Sequence, residues 1–300
     1  MKRFFIILFV FLFSAGAAQD VPYLHRINQY LFNGMLLNPA YAGSREALSM
    51  TAIHRTQWAG FEGSPVSQSF AAHSPIKNEK VALGVIMDNY SLPTIQYNSI
   101  YLNYAYRIWL HGSRLAFGIK AGGYMYKEKI SNLNLRDPID PSFVGENGIS
   151  PNFGAGIYLY NEKYFVGASV PFFMSHSDTS AIAFDYQQYH YLLTAGYLFD
   201  FTRNFKIKLA GLTDYNKFSF DYQASVNFLL FDDLIWLGCA YRGNGDISGT
   251  LDLQVGPQLK IGYSYDYSTS EIAKFSNGSH EIMLRYELVF KSKVISPFYF

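Results

Sequence analysis

The tripeptide His176-Ser177-Asp178 holds, in one short stretch, the side-chain types of a serine hydrolase. A serine attacks a carbonyl when a histidine takes its proton and a third polar group holds that histidine, and the three converge from separate elements. Adjacent residues of an extended chain point to opposite faces, so this tripeptide reads as a polar loop tip. His54, His73, His190 and His280 lack the paired spacing of metal ligands, and His54 and His73 read as hydrogen-bond partners in the lumen or at a rim. Gly122-Gly123 and Gly154-Ala155-Gly156 lie inside alternating segments, where glycine permits a bend or close packing, and are not phosphate cradles. No catalytic, cofactor-binding or metal-binding residue is expected, and the chain is not expected to be an enzyme.

The elements that would carry such residues are strands. From Phe218 to Phe228 one parity carries Phe218, Phe220, Tyr222, Ala224, Val226 and Phe228, while the other carries Ser219, Asp221, Gln223, Ser225 and Asn227. An apolar aromatic face backed by a polar one is how a membrane-spanning strand around a wet lumen reads. The same alternation returns at Ile100–Tyr106, Leu115–Ala121, Phe205–Leu209, Leu251–Val255, Leu259–Tyr267 and Ile282–Phe290. Turn residues separate these runs at His111-Gly112-Ser113, Asn161-Glu162-Lys163, Asp232-Asp233, Asn244-Gly245-Asp246 and Asn277-Gly278. Polar stretches at 127–150, 175–185 and 268–279 read as long loops on one rim.

The N-terminus gives an address. Lys2 and Arg3 precede an apolar run from Phe4 to Phe13 and then small residues up to Ala18. That run is too short for a spanning helix, which needs roughly 20 residues, and reads as a secretory signal peptide over 1–18. Within an N-terminal segment over 19–43, alternation is absent from Val21 to Leu37. Ile27, Tyr30, Leu31 and Met35 fall near helical spacing, which suggests a short helix or irregular plug-like segment in the lumen. Residues 44–300 are expected to form the barrel, and about 20 residues per strand and connection gives about 14 strands, with 12 to 16 admissible.

Composition agrees: aromatic residues are 18% of the chain and charged residues only 16%. That balance favours an all-β, antiparallel transmembrane β-barrel over soluble domains. A net charge of +1 argues against nucleic acid as a partner, and the single Cys239 excludes an internal disulfide. The chain ends in Phe300, an aromatic terminus resembling the signal for outer-membrane insertion.

Near the N-terminal end, Asn38-Pro39-Ala40-Tyr41-Ala42-Gly43 is followed by Arg55-Thr56-Gln57-Trp58-Ala59-Gly60-Phe61-Glu62-Gly63-Ser64-Pro65. These two elements resemble those of the PorP/SprF family, outer-membrane barrels associated with the type IX secretion system of Bacteroidota. Further matches follow in family order, including Tyr104-Ala105-Tyr106, Trp236-Leu237-Gly238, Gly262-Tyr263-Ser264-Tyr265-Asp266 and Ser279-His280-Glu281-Ile282. The chain departs from the family at its end, where Phe298 stands in place of an arginine. The resemblance implies an integral protein of the outer membrane, in contact with its lipid, that does no chemistry. Its implied partners are the C-terminal domain of a secreted cargo protein and the periplasmic or ring components of the secretion and gliding machinery. Asn38, Pro39, Tyr41, Arg55, Gln57, Trp58 and Glu62 are the expected plug or partner-binding residues. Arg55, Trp58 and Glu62 would pin the plug or the first hairpin. The rival reading is a porin-like or hydrophobe-transport channel, since Asn38-Pro39-Ala40 is also similar to a plug tripeptide of fatty-acid channels.

Overall fold

The computed structural model describes residues 27–76, 79–128, 147–176, 182–183, 186 and 188–288. The expected signal peptide, Ser177, Asp178 and Phe300 lie outside them. In chain order the strands are β1 (Leu48–Thr56), β2 (Val66–Pro75), β3 (Val81–Ser91), β4 (Ile95–Leu110), β5 (Ser113–Glu128), β6 (Asn147–Tyr160) and β7 (Tyr164–Val170). A small hairpin follows, β8 (Ser175–His176) with β9 (Ile182–Ala183). The wall then resumes with β10 (Tyr191–Thr202), β11 (Phe205–Tyr215), β12 (Phe220–Leu230), β13 (Ile235–Arg242), β14 (Ile247–Gln254), β15 (Leu259–Tyr267) and β16 (Ser279–Leu288).

Every wall strand pairs antiparallel with its sequence neighbour in the wall, and β1 pairs with β16 from Leu48↔Leu288 to Thr56↔His280, so the sheet closes into a barrel of 14 strands. Closure satisfies each strand's backbone groups without water, which is what lipid demands. The alternating parities separate as expected. Leu102, Tyr104 and Tyr106 of β4 are exposed on the outer wall, while Asn103, Ala105 and Arg107 are buried in the lumen. In β11 Lys206 and Lys208 point inward, and Phe205 and Leu209 outward. Phe205 and Phe228 near one rim and Tyr215, Tyr222 and Tyr267 near the other supply outward aromatics at both levels where lipid meets water.

The two rims differ. One carries both ends of the described barrel and the short connections 76–80, 111–112, 161–163, 203–204, 231–234 and 255–258. At the β4–β5 hairpin, positive φ at His111 and Gly112 gives the two-residue turn that suits strand twist. The opposite rim carries 57–65, the connections 129–146 and 171–190, and 268–278. The expected loops at 127–150 and 175–185 lie largely outside the described residues; the described parts of 127–150 extend β5 and β6, and 268–278 lies on this rim.

The lumen is filled by the segment preceding β1. It forms three short 3₁₀ turns, Tyr30–Phe32, Gly34–Leu36 and Pro39–Tyr41, in place of one helix. Pro39 disfavours the helical conformation at Asn38, which is extended at φ −138° and caps the third turn by accepting the Ala40 N–H at 2.9 Å. Gly43, at φ +75°, then redirects the chain toward β1. Phe32, Met35, Ala40 and Tyr41 pack with Ile53, Ile86, Tyr158 and Trp236 of the wall into one buried cluster.

Candidate functional site

The plug is held at three levels. Nearest the long-loop rim, Glu281 of β16 accepts the backbone N–H groups of Gln29 at 2.9 Å and Asn28 at 3.1 Å. The Asn28 side chain donates to Ser264 at 2.8 Å and to Asp266, and accepts from Arg242 at 2.9 Å. Behind these groups Arg55 spans Asp266 at 2.5 Å and Glu281 at 3.2 Å. Each of the two buried carboxylates thus contacts the one guanidinium and accepts further hydrogen bonds from Asn28 or Gln29, so neither is buried without a partner. This set of residues is the upper latch.

At mid-depth the contacts are close, with hydrogen bonds set among packed rings. Asn38 donates to the Ile157 carbonyl at 2.9 Å, and Ser169 donates to that of Leu37 at 2.8 Å. The Tyr41 ring meets Tyr158 edge-on at 5.6 Å, and Phe32 lies 5.1 Å from Trp236. The Lys260 ammonium sits beside both rings, 3.8 Å from the centre of Trp236 and 5.3 Å from that of Phe32. Gly118 and Gly156 permit this approach: a Cβ on Gly118 would meet the backbone of Pro39 and Ala40, and one on Gly156 the side chain of Asn38.

Near the short-turn rim Arg45 forks onto Glu287 at 2.7 and 3.1 Å, and Glu46 pairs with Arg114. Arg107 donates to the Gly43 carbonyl at 2.5 Å, and the Gly43 N–H donates to Nδ1 of His73 at 3.1 Å. His73 is therefore a hydrogen-bond acceptor for the plug through an unprotonated nitrogen. Burial works against the Arg45 charge, but the Glu287 carboxylate more than offsets it and holds the guanidinium above its ordinary pKa. For Glu46 burial prevails and pushes the carboxyl up despite Arg114.

Of the residues singled out by sequence, Asn38, Pro39, Tyr41 and Arg55 come together in the lumen. Gln57, Trp58 and Glu62 do not join them. They belong to the β1–β2 loop, where the Gln57 N–H bonds the Pro65 carbonyl at 3.0 Å. The Trp58 N–H donates to Ser279 at 3.1 Å, tying the first hairpin to β16 rather than to the plug. Glu62 is exposed, beside the exposed Phe61. His54 and His280 face outward, and His190 contacts Asp214 at 2.8 Å. Sequence reasoning missed Asn28, Arg45, Arg107 and Arg242. Arg107, Glu281, Arg285 and Glu287 all stand on the polar parity of their strands, and a charge at a lumen-facing position is the signal that could have marked such anchors.

Chemically, the arrangement fixes a segment of chain inside the lumen. Two cavities beside the plug, of about 20 Å³ each, have room for little more than a water molecule.

Solved structures similar to this chain are barrels. The CymD monoaromatic hydrocarbon channel aligns with TM-score 0.51 and 15% identity over 85% of this chain and 91% of that one. The TodX deltaS2S3 mutant monoaromatic hydrocarbon channel aligns with TM-score 0.50 and 10% identity over 89% and 95%. Such likeness carries the fold alone. No curated protein matches the chain. Residues 17–286 match the family described as type IX secretion system membrane protein PorP/SprF. With nearly the whole barrel and its plug inside that match, the chain belongs to the PorP/SprF family of outer-membrane proteins.

Proposed function

We propose that this protein is a non-enzymatic component of the type IX secretion system that binds or anchors a secreted cargo protein through the cargo's C-terminal domain. It links that cargo to the secretion and gliding machinery. The observation that carries this reading is the plug, latched by a buried ion-pair cluster at one end and a half-buried pair at the other. A barrel built to pass solutes has little use for a lumen tied shut by Arg55, Asp266 and Glu281 above and Arg45 and Glu287 below. The long-loop rim then offers the contact surface. Outer-membrane barrels turn their long loops outward and their short turns to the periplasm, so cargo is met at 57–65 and 268–278 and periplasmic components at the opposite rim.

The second reading, a porin-like or hydrophobe-transport channel, draws support from the similarity in fold to hydrocarbon channels. Two measurements separate them. Pull-down of the detergent-extracted protein from its native envelope should recover a large surface protein or secretion-ring components. Planar-bilayer recording should be silent. Steady large openings, with only lipid and bulk porins recovered, would move the assignment to the channel.

A further inference from the structure

The outer wall is not uniformly convex. In its long-loop half, on the lipid side of β16 and β1 through β6, lies an open groove of about 1030 Å³. Its sides are outward residues such as Phe70, Met87, Ile100 and Leu284, each more than a third exposed. Its floor includes the small Ala52, which faces Phe70 on one neighbouring strand and Leu284 on the other. The wall draws in here at Gly122 and Gly123, where an added Cβ would meet the backbone of Ile100 and Tyr101 or of Ser150 and Pro151.

One end of the groove is polar. His54, Gln68, Asn89 and Asn98 face outward there, two or three residues in from their strand ends, roughly 7–10 Å along the strands. Gln68 meets His54 at 3.4 Å and Asn89 donates to Asn98 at 2.7 Å. The second half of each asparagine amide has no hydrogen-bond partner among the described residues. Carboxamides turned toward hydrocarbon are costly unless something bonds them. No outward residue of the lining carries a fixed charge, for Asp88 points inward and accepts from Ser99 at 3.2 Å. The row therefore suits neutral carbonyls and hydroxyls, and phosphate would lie beyond it at the rim.

We propose that this groove is a binding site for a lipid of the external leaflet of the lipid A type. Its acyl chains lie along Phe70, Met87 and Leu284, and its ester and amide linkages bond Gln68, Asn89 and Asn98. Three features select this occupant: the groove is continuous with the membrane-facing wall, its volume is at the upper end of small-molecule sites, and its polar row lies at the depth where chains join the headgroup. The assignment of leaflet rests on the outward orientation of the long loops.

Native mass spectrometry of the full protein, extracted in mild detergent, tests the site. Wild type should retain a lipopolysaccharide-derived adduct at about one per barrel. Ala52→Trp, which fills the groove, should lower its occupancy at least tenfold, and Gln68→Leu with Asn98→Leu should lower it severalfold. All variants should keep the heat-modifiable gel mobility of a closed barrel. Absence of the adduct from wild type, equal adduct in every variant, or a glycerophospholipid adduct instead overturns the proposal. So does a co-purifying protein lost with Ala52→Trp, which would make the groove a protein interface. A change of pull-down partners without change in the adduct would bear on the cargo reading alone.

Discussion

Arg55 of β1 and Asp266 of β15 lie 2.5 Å apart in the lumen although β16 stands between their strands, and both side chains are almost fully buried. The pair therefore bridges across one strand of the wall, and Glu281 of that strand completes it. Arg55→Ala leaves two buried carboxylates without a counter-ion, which typically costs about 3–5 kcal/mol. Denaturant unfolding in detergent should register that loss. Hydrogen exchange should show it concentrated at the Asn28 and Gln29 amides, and unchanged exchange there would refute the latch.

The glycine contacts make a paired test. Gly118→Leu places a side chain where the backbone of Pro39 and Ala40 lies, and overpacking of this kind costs typically 1–3 kcal/mol or more. Gly249→Ala on β14 meets nothing within 4 Å and should stay within about 0.5 kcal/mol of wild type. Equal thermal stability of the two variants would contradict the close approach of plug and wall.

The lower anchor should also help to keep the lumen closed. Arg45→Ala removes the fork onto Glu287, and a loss of about 1.4 kcal/mol raises the population of a loosened plug tenfold. Bilayer recordings of the variant should show brief openings against a silent wild type.

On the short-turn rim, Arg203 donates to the exposed Asp232 at 2.7 Å and holds its carboxyl below the ordinary carboxylate range. The folded pKa is depressed, so the contribution is complete above the ordinary value and is lost as pH falls through the lowered one. The Phe231 amide, bonded to the Asn204 carbonyl at 3.0 Å, should lose protection relative to its intrinsic exchange rate below that point in wild type. In Asp232→Asn it should show no such step.

Exposed Phe61 and Glu62 should matter only to partners. Phe61→Ser with Glu62→Ala is expected to leave unfolding within about 0.5 kcal/mol of wild type, as surface changes usually do, while reducing the cargo recovered in pull-down. Undiminished recovery would move the contact to another loop.

Much of the wall was legible in the sequence because strand side chains alternate strictly, so Phe220, Tyr222 and Phe228 announce one face and Gln223 and Asn227 the other. Turn chemistry at His111-Gly112 and Asn244-Gly245 announced the connections for the same local reason. The plug was legible only as an interruption. Its 3₁₀ turns have no periodic signature of their own, and what orders them is the wall around them. The latch was half legible: Arg55 stands in a recognisable element, but its partners lie more than 200 residues away, and no local pattern ties Arg55 to Asp266 or Glu281. The groove was not legible at all, since a dent in a sheet arises from the packing of neighbouring backbones at Gly122 and Gly123.

The seam between β1 and β16 sets an order of events during biogenesis. Arg55 stands on one side of it and Glu281 and Glu287 on the other, so the chain acquires its anchors only as these edges zip together. The leading segment must already sit within the nascent cylinder when the two edges meet, because it is tethered to β1 and cannot be threaded in later from the bulk. Until that moment both edges present unpaired amides and carbonyls, and an insertion factor that templates one of them would also be guarding the entry of the plug.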